Sequence, residues 1–297
     1  MDKFPFKTPK FAFGPFPGHP SRGSNPVMII AQITDTHIRE GRALLGPVDP
    51  AACLERAVAT VNALSPRPDL VILTGDIGND GTPGEYAIAR SILDRLAMPL
   101  YVIPGNHDTR AAMREAFGDI TPFADGSPFL QYRIEAGPIR VLALDTLIEG
   151  RPEGRLCAER LRWLEAELED AGDTPVLVAM HHPPVKTGIE GMDAIRLLSG
   201  ARELEAILVR YPNVERIVAG HLHRAIQRRF AGTVVSLCPG VAHQLHLDLG
   251  QGSELALIAE PPGYQLHLVD DDGAVTTHTC VLGDFGPPVT FASIFMD

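Results

Sequence analysis

The stretch VIPGNHD, residues 102–108, decides the fold of this chain. It opens with an apolar, β-branched run, which predicts a strand buried on both faces, and a glycine then lets the backbone turn sharply. Asn106, His107 and Asp108 follow at once. In an open α/β sheet, ligands bind at the carboxyl ends of the strands. The stretch therefore predicts polar side chains gathered at one edge of a sheet.

The segments around this stretch alternate between strands and helices. Short continuous apolar runs are typical of buried strands, and apolar residues at helical spacing are typical of helices. These patterns predict strands at 27–33, 69–75 and 99–105, and helices at 49–64, 83–96 and 109–117. The order β-α-β-α-β implies a parallel sheet with crossover helices on its faces.

The second half of the chain is mixed and then becomes mostly β. Two antiparallel strands are expected on either side of Gly137-Pro138. Further elements are predicted as helices at 158–171 and 201–210, and as strands at 175–180, 214–219, 225–231, 233–238, 264–270 and 274–280. We expect a single domain over residues 27–297, in which 238–297 is a β-rich part, preceded by an irregular Phe- and Pro-rich arm at 1–26.

Composition excludes several classes of protein. The 297 residues carry a net charge of −11, which argues against a protein that binds nucleic-acid polymers through their phosphates. No run reaches the ~18 apolar residues of a membrane span, so no membrane association is expected. The four cysteines lie far apart without C-x-x-C spacing, and they predict free thiols in a reducing cytoplasm.

Five predicted strands end in metal-binding types of side chain. In chain order these are Asp35 and His37, then Asp76 and Asn79, then Asn106 and His107, then His181 and His182, and finally His221 and His223. Imidazole nitrogen with carboxylate oxygen suits Zn, Fe, Mn or Co. The set is too large for one tetrahedral ion and fits two divalent ions that keep positions open for water and substrate.

In these motifs the chain resembles the calcineurin-like metallophosphoesterases. The family pattern is D-x-H, G-D-x-x-(D/N), G-N-H-(D/E), a lone His and G-H-x-H, and all five occur in this order between positions 35 and 223. The stretches LYVIPGNHD and MHHPP are similar to the bacterial branch that holds class III cyclic-nucleotide phosphodiesterases and glycerophosphodiesterases. The resemblance implies an α/β fold, a four-layer αββα sandwich with two mixed sheets flanked by helices.

The resemblance also implies roles for individual residues. Asp35, His37, Asp76 and His223 would hold a first ion, and Asp76, Asn106, His181 and His221 a second, with Asp76 bridging. The implied reaction is hydrolysis of a small phosphodiester, a glycerophosphodiester or a 3′,5′-cyclic nucleotide, by a metal-bridging hydroxide. His107 would act on the phosphoryl oxygens or the leaving alkoxide. Asn79 and His243 would bind substrate, while His182 and Asp108 have structural interpretations.

Alternatives remain at the level of substrate. The family's monoesterases carry an arginine where this chain has Asp80, and a carboxylate there should repel a dianionic monoester, so a diester is favoured over a phosphomonoester. A nuclease is disfavoured by the net charge. A scaffold without metals is disfavoured because every expected ligand is present. Branch members oligomerise through C-terminal strands, which implies a homo-oligomer here.

Overall fold

The computed structural model describes residues 28–41 and 48–289, so the predicted arm at 1–26 lies outside the described residues. The strands are β1 (Met28–Ile33), β2 (Leu70–Thr74), β3 (Leu100–Ile103), β4 (Tyr132–Ala136), β5 (Ile139–Ala143), β6 (Gly154–Arg155), β7 (Val176–Met180), β8 (Leu197–Ser199), β9 (Val214–Ala219), β10 (Ile226–Phe230), β11 (Thr233–Leu237), β12 (Gln244–Leu245), β13 (Leu257–Ile258), β14 (Gly263–Val269) and β15 (Val275–Val281). The helices are α1 (Pro50–Ala63), α2 (Pro83–Leu93), α3 (Arg110–Phe117), α4 (Ala158–Ala171), α5 (Glu190–Asp193) and α6 (Ala201–Leu208).

The first sheet has the order β15-β14-β1-β2-β3. β1, β2 and β3 run parallel, with Ile30 opposite Leu70 and Val71 opposite Leu100. β14 lies antiparallel to β1, and β15 antiparallel to β14. The three parallel strands are buried on both faces, as their continuous apolar sequences predict.

The second sheet has the order β10-β11-β9-β7-β5-β4. β5, β7, β9 and β11 run parallel to one another, and hairpins add β4 beside β5 and β10 beside β11 as antiparallel edge strands. The parallel strands of the two sheets point their carboxyl ends toward a common edge. The two smaller ladders, β6 with β8 and β12 with β13, lie outside the main sheets.

Alternate side chains of β7 explain how four layers stack. Leu177 and Ala179 pack into a core shared with the first sheet and with α1, α2 and α3. Val176, Val178 and Met180 face the other way, into a core with α4 and α6. Because successive strand residues point to opposite faces, one strand contributes to both cores. The predicted αββα sandwich is confirmed.

The helix boundaries follow their capping residues. Asp49 caps α1 by accepting from the Ala52 amide, and Thr82 caps α2 in a reciprocal box with Glu85. The predicted helix at 83–96 ends at Leu93, because the amides of Arg95 and Leu96 turn back to Ile92 and Leu93 in tighter bonds. The short elements α5, β6, β8, β12 and β13 were not predicted.

In the described ranges, no helix combines the length and the apolar character that crossing a membrane requires.

Candidate metal centre

Five strand ends meet at the edge where the two sheets face each other. β1, β2 and β3 reach this edge from the first sheet, and β7 and β9 reach it from the second. Hydrogen bonds join the sheets here: the His221 amide donates to Asp35 Oδ2 at 3.0 Å, and His181 Nδ1 donates to the Thr74 carbonyl at 2.7 Å. The structure therefore brings the side chains of all five predicted strand ends together.

Five residues at these ends have a left-handed backbone. The φ angles are 54° at Asp35, 45° at His37, 52° at Asp76, 73° at His221 and 48° at His223. Residues other than glycine seldom adopt this conformation, which costs of order 1 kcal/mol each. In the described part of the chain, Ala231 is the one further non-glycine residue with positive φ. Strain of this kind is concentrated at functional sites.

Two glycines allow the loops to pack this closely. A Cβ at Gly105 would lie 2.1 Å from Asp76 Oδ1, and a Cβ at Gly75 would lie 2.5 Å from His181 Nδ1. Neither neighbour can move without leaving the cluster. Any side chain at Gly105 or Gly75 would therefore displace Asp76 or His181.

The Nε2 nitrogen of His181 requires a cation beside it. A carbonyl oxygen accepts only, so Nδ1 carries the hydrogen given to Thr74, and Nε2 faces two acceptor oxygens: Asn106 Oδ1 at 3.1 Å and Asp76 Oδ2 at 3.3 Å. Burial acts to lower the pKa of His181, but the Asp76 carboxylate raises it to about 9. A proton or a metal ion must lie between these atoms.

His223 repeats this arrangement. Its Nδ1 donates to the His243 carbonyl at 3.2 Å, which leaves Nε2 at 3.2 Å from Asp35 Oδ1 and 3.2 Å from His37 Nε2. Burial acts to raise the pKa of Asp35, but His223 holds it well below its usual range, so the carboxylate is ionised. Backbone carbonyls thus fix the ring orientation of both histidines, as is common for metal-ligating imidazoles.

Asp76 lies between the two groups. Its Oδ2 is 3.7 Å from His37 Nε2 and 3.3 Å from His181 Nε2, while Oδ1 accepts from the His107 amide at 2.9 Å. Burial acts to raise the pKa of Asp76, but His181 lowers it well below its ordinary value. One ionised oxygen therefore faces both halves of the cluster.

His221 and His182 differ in which of their ring nitrogens have hydrogen-bond partners. His221 is buried, its Nε2 has no hydrogen-bond partner among the described residues, and burial lowers its pKa to about 3. His182 uses both nitrogens: Nε2 donates to the Pro152 carbonyl at 3.2 Å, and Nδ1 accepts from Thr146 Oγ1 at 2.8 Å. His221 thus offers a lone pair, whereas His182 has the structural bonds that the sequence predicted for it.

His107 is the exposed member of the cluster. Its Nδ1 donates to the Asn79 carbonyl at 2.6 Å, and its ring lies edge-on to His37 with 4.8 Å between centroids. Asn79 thus holds His107 through its backbone, while the Asn79 side chain donates to Asp80 Oδ1 at 2.9 Å. The remaining nitrogen of His107, Nε2, is the one that can contact a substrate.

Two further carboxylates of these loops have roles of their own. Asp80 is exposed, lies 3.7 Å from Arg39 Nη2 and does not line the cavity at the cluster, but it holds the side chain of Asn79, which does. Asp108 is more than a turn residue. Its carboxylate accepts from Tyr86 Oη at 2.9 Å, and from the amides of Gly105 and Ile77 at 2.8 and 3.1 Å, which joins the ends of β2 and β3 to α2.

Members of the cluster line a cavity of about 410 Å³. His243 lines it as well, with its ring 4.4 Å from that of His223 and its Nδ1 without a hydrogen-bond partner in the described ranges. The rest of the lining is apolar. Met192, Ile195, Leu245, Leu255 and Leu257 form it. Sequence reasoning missed these residues, because β12, β13 and α5 are short and their positions depend on long-range packing.

The donor atoms fit metal ions. Four triplets of donors each have all their ligand atoms within 4.8 Å of one another: Asp35, Asp76 and His181; His37, Asp76 and His107; His37, His223 and His243; His181, His182 and His221. The set is rich in imidazole, contains carboxylates and lacks cysteine, a combination that suits Zn, Fe, Mn or Co. Nε2 of His181 and Nε2 of His223 face carboxylate oxygens, and the buried Nε2 of His221 has no hydrogen-bond partner among the described residues. These features match a cation-binding cluster.

This fold and cluster define a class of protein. The chain belongs to the calcineurin-like phosphoesterase family, whose model matches residues 28–225. The match confirms the family that the five motifs indicated, and with it a metal-dependent hydrolase.

Relatives narrow the class to phosphodiesterases. The chain is 38% identical over 265 residues to the probable glycerophosphodiester phosphodiesterase GpdQ of Arcobacter nitrofigilis, covering 89% of this chain and 97% of the relative. It is 36% identical over 259 residues to a probable cyclic nucleotide phosphodiesterase of Rhodopseudomonas palustris, covering 86% and 93%. Both names belong to the branch predicted from the sequence, and the chain is a phosphodiesterase of this family.

A solved structure supports the fold alone. The crystal structure of a dimetal phosphatase from Danio rerio matches with a TM-score of 0.60 at 17% identity, covering 87% of this chain and 100% of that one.

Proposed function

We propose that this chain hydrolyses small phosphodiesters, glycerophosphodiesters or 3′,5′-cyclic nucleotides, with two divalent metal ions. The observation that carries the proposal is the position of Asp76 Oδ2, which faces His37 Nε2 on one side and His181 Nε2 on the other. A carboxylate oxygen shared between two imidazole groups is what two adjacent cations require. The names of the relatives support the same reaction class.

The ligands divide into two sets that share Asp76. We assign Asp35, His37, Asp76 and His223 to one ion, and Asp76, Asn106, His181 and His221 to the other. When bound, two such ions activate a water molecule and neutralise charge on the phosphoryl oxygens. The Thr74 and His243 carbonyls keep His181 and His223 in the tautomer that presents Nε2.

His107 is the proposed catalytic residue outside the metal ligands. Because Nδ1 donates to the Asn79 carbonyl, Nε2 is free to donate to a phosphoryl oxygen or to the leaving alkoxide when the ring is protonated. The exposure of His107 at the cavity mouth supports this role. Asn79 contributes by orienting His107, and its side chain stands at the cavity edge where it can bind substrate.

His243 is proposed to contact the substrate. It lines the cavity beside His223, and burial lowers its pKa to about 3, which leaves it neutral. A neutral imidazole with an unpartnered Nδ1 can exchange a hydrogen bond with an ester oxygen.

A diester is favoured over a monoester by the cavity lining. Its described residues include no lysine or arginine. A dianionic monoester would therefore have only the metal ions and His107 to compensate its charge, whereas a monoanionic diester needs less compensation. Phosphomonoester hydrolysis is the second candidate, and a nuclease is disfavoured by the net charge of −11.

Hydrolysis of bis(p-nitrophenyl) phosphate and of p-nitrophenyl phosphate, after chelation and refilling with Mn, Co, Zn or Fe, tests this function. We expect metal-dependent turnover that favours the diester. Asn106→Ala should lose turnover together with bound metal, measured by elemental analysis, while Asn213→Ala, outside the cluster, should keep both. A preference for the monoester would make the chain a phosphatase, and turnover that survives complete metal removal would refute the assignment.

We further propose that residues 27–297 act as one domain and that the part 238–297 joins copies into a homo-oligomer. Leu247 and Leu249 in this part are 49% and 63% exposed, which supports an apolar contact between copies. Sedimentation would detect this contact, because the Leu249→Asp variant should sediment as a monomer. A reducing, cytoplasmic location is supported by Cys53, Cys157, Cys238 and Cys280, which are all free thiols.

A further inference from the structure

Five of the residues that line the cavity beside the cluster are apolar. We call Met192, Ile195, Leu245, Leu255 and Leu257 the apolar wall. Leu255 and Leu257 line the cavity and are each 46% exposed, so part of their apolar surface is not packed into a core. Surface of this kind, continuous with a cluster of ligands, is typical of a binding site for an organic group.

Several contacts hold the apolar wall in place relative to the cluster. Leu255 packs on Gly191, where an added Cβ would lie 2.8 Å from Leu255 Cγ. The Gly252 amide donates to Glu190 Oε2 at 2.6 Å. Arg224 follows the proposed ligand His223 in the chain and donates to the Leu245 carbonyl at 2.5 Å. The wall is therefore tied both to α5 and to the loop after β9.

The cavity lining offers two kinds of chemistry. The described polar lining residues are His37, Asp76, Asn79, Asn106, His107, His221, His223 and His243. The apolar wall supplies no side-chain donor or acceptor. A glycerol or ethanolamine group placed against it would lose hydrogen bonds to water without replacement, whereas an aromatic group would gain from burial of apolar surface.

We propose that the apolar wall is a subsite for an uncharged organic group with a large apolar surface, so that diesters of aryl or nucleoside alcohols are favoured over diesters of glycerol. This inference rests on the proposed phosphodiesterase function and specifies its substrate class. Discrimination comes from the wall, because the cluster contacts the phosphoryl group that all diesters share.

Two symmetric diesters test the proposal. Because the two ester groups of a symmetric diester are identical, the group that contacts the apolar wall is known for each substrate. We would compare bis(p-nitrophenyl) phosphate with bis(glyceryl) phosphate, using wild type, Leu257→Asn and Leu255→Asn, and quantify the released alcohol chromatographically. We expect each variant to lower the ratio of the kcat/KM for the aryl diester to that for the glyceryl diester by about tenfold. Intrinsic differences between the leaving groups cancel in this comparison of ratios.

Leu198→Asn is the matched control, because Leu198 is 47% exposed and lies outside this cavity. Its ratio should equal that of the wild type. An unchanged ratio in both wall variants, with diester hydrolysis intact, overturns the wall proposal alone. If the wall variants instead change the sedimentation coefficient and not the ratio, the wall contacts another copy of the chain and the proposal is likewise wrong. If the metal-loaded wild type hydrolysed neither of the two diesters, the phosphodiesterase function itself would be overturned.

Discussion

Asp76 connects the two halves of the metal centre through a single carboxylate. Its Oδ2 faces His37 and His181, and its Oδ1 accepts from the His107 amide, so the same side chain also orients the proposed catalytic histidine. The side chain is 3% exposed, and an uncompensated charge there would be costly. Removing the charge should therefore affect both halves of the cluster and His107 together.

Asp76→Asn should bind fewer metal ions and lose activity. The amide keeps the size of the side chain but removes the negative charge that both ions would share. We expect metal content to fall from two ions per chain to one or none, and kcat on bis(p-nitrophenyl) phosphate to fall at least about a hundredfold. Elemental analysis and initial rates measure these. Asp80→Asn, an exposed carboxylate of the same loop, is the control, and an unchanged metal content in Asp76→Asn would contradict the bridging role.

Thr146→Val should weaken metal binding without touching a proposed ligand. The hydroxyl holds His182 Nδ1 at 2.8 Å, and the His182 ring lies 4.7 Å from that of His221. Loss of this support should lower the affinity for one ion by about tenfold, measured by metal titration calorimetry. Thr233→Val, which loses a hydrogen bond to the distant Glu215 carbonyl, should leave the affinity unchanged. Equal affinities in the two variants would mean that His182 does not position His221.

At the scale of elements, the start of α2 links helix capping to the catalytic loop. Glu85 Oε2 accepts from the Asp80 amide at 2.9 Å as well as from Thr82, and Thr82 Oγ1 accepts from the Glu85 amide at 3.2 Å. The same loop carries the Asn79 carbonyl that orients His107. Stability of the helix start and orientation of His107 are therefore coupled.

Thr82→Ala should lower the free energy of unfolding by about 1 kcal/mol, because one end of the capping box is lost. It should also reduce kcat through looser placement of His107. Urea unfolding and initial rates measure the two effects. Ser91→Ala, on the exposed face of α2, is the control for helix propensity. If Thr82→Ala and Ser91→Ala unfold at the same urea concentration, the capping box contributes nothing.

Local sequence predicted the elements well where a pattern is long. The helix at 158–171 and the strand at 214–219 agree with the structure to the residue. The ladders β6–β8 and β12–β13 were missed, since Gly154 pairs with Leu197 and Gln244 with Ile258 across long separations. The hydrophobic periodicity of a short stretch of sequence carries no information about such distant pairs.

The gathering of the proposed metal ligands at one edge was predictable for a similar reason. Each follows a buried strand directly, so strand prediction alone assigns it to the edge of a sheet. The carbonyls of Thr74 and His243 and the apolar wall were not predictable, because they act through backbone atoms or distant packing. The position of Asp80 outside the cavity lining was not predictable either, because sequence adjacency to Asn79 does not fix the direction of a side chain.

At the scale of the whole molecule, a buried polar network joins the two sheets beneath the metal centre. Gln32 of β1 donates to Thr74 Oγ1 at 2.9 Å and to the Ala219 carbonyl at 3.1 Å, and its Oε1 accepts from His267 Nε2 at 3.1 Å. His267 is fully buried and contacts Thr277 Oγ1 through its other nitrogen. Each member has its partners, so the network specifies how the sheets align.

This network should make stability depend on pH through His267. Burial, with a contribution from Arg216, lowers the pKa of His267 from 6.5 to about 3. The unfolded chain then binds the extra proton below pH 6.5, so stability is fully present above that pH and is lost as pH falls toward about 3. Between pH 7 and pH 5 the wild type should lose about 2 kcal/mol more than His267→Gln in urea unfolding.

His278→Gln, an exposed histidine of β15, is the control and should keep the pH dependence of the wild type. Identical pH dependence of wild type and His267→Gln would show that His267 is not held neutral by the fold.

The left-handed backbone at Asp35, His37, Asp76, His221 and His223 also bears on the evolution of this scaffold. Asp, Asn, His and glycine tolerate this conformation far better than bulky or β-branched residues. A descendant that no longer bound metal would still contain turns that few amino acids can occupy. Substitutions at these positions should then be confined to Asp, Asn, His and glycine. A lineage that has lost catalysis would therefore keep recognisable motifs long after selection for catalysis had ended.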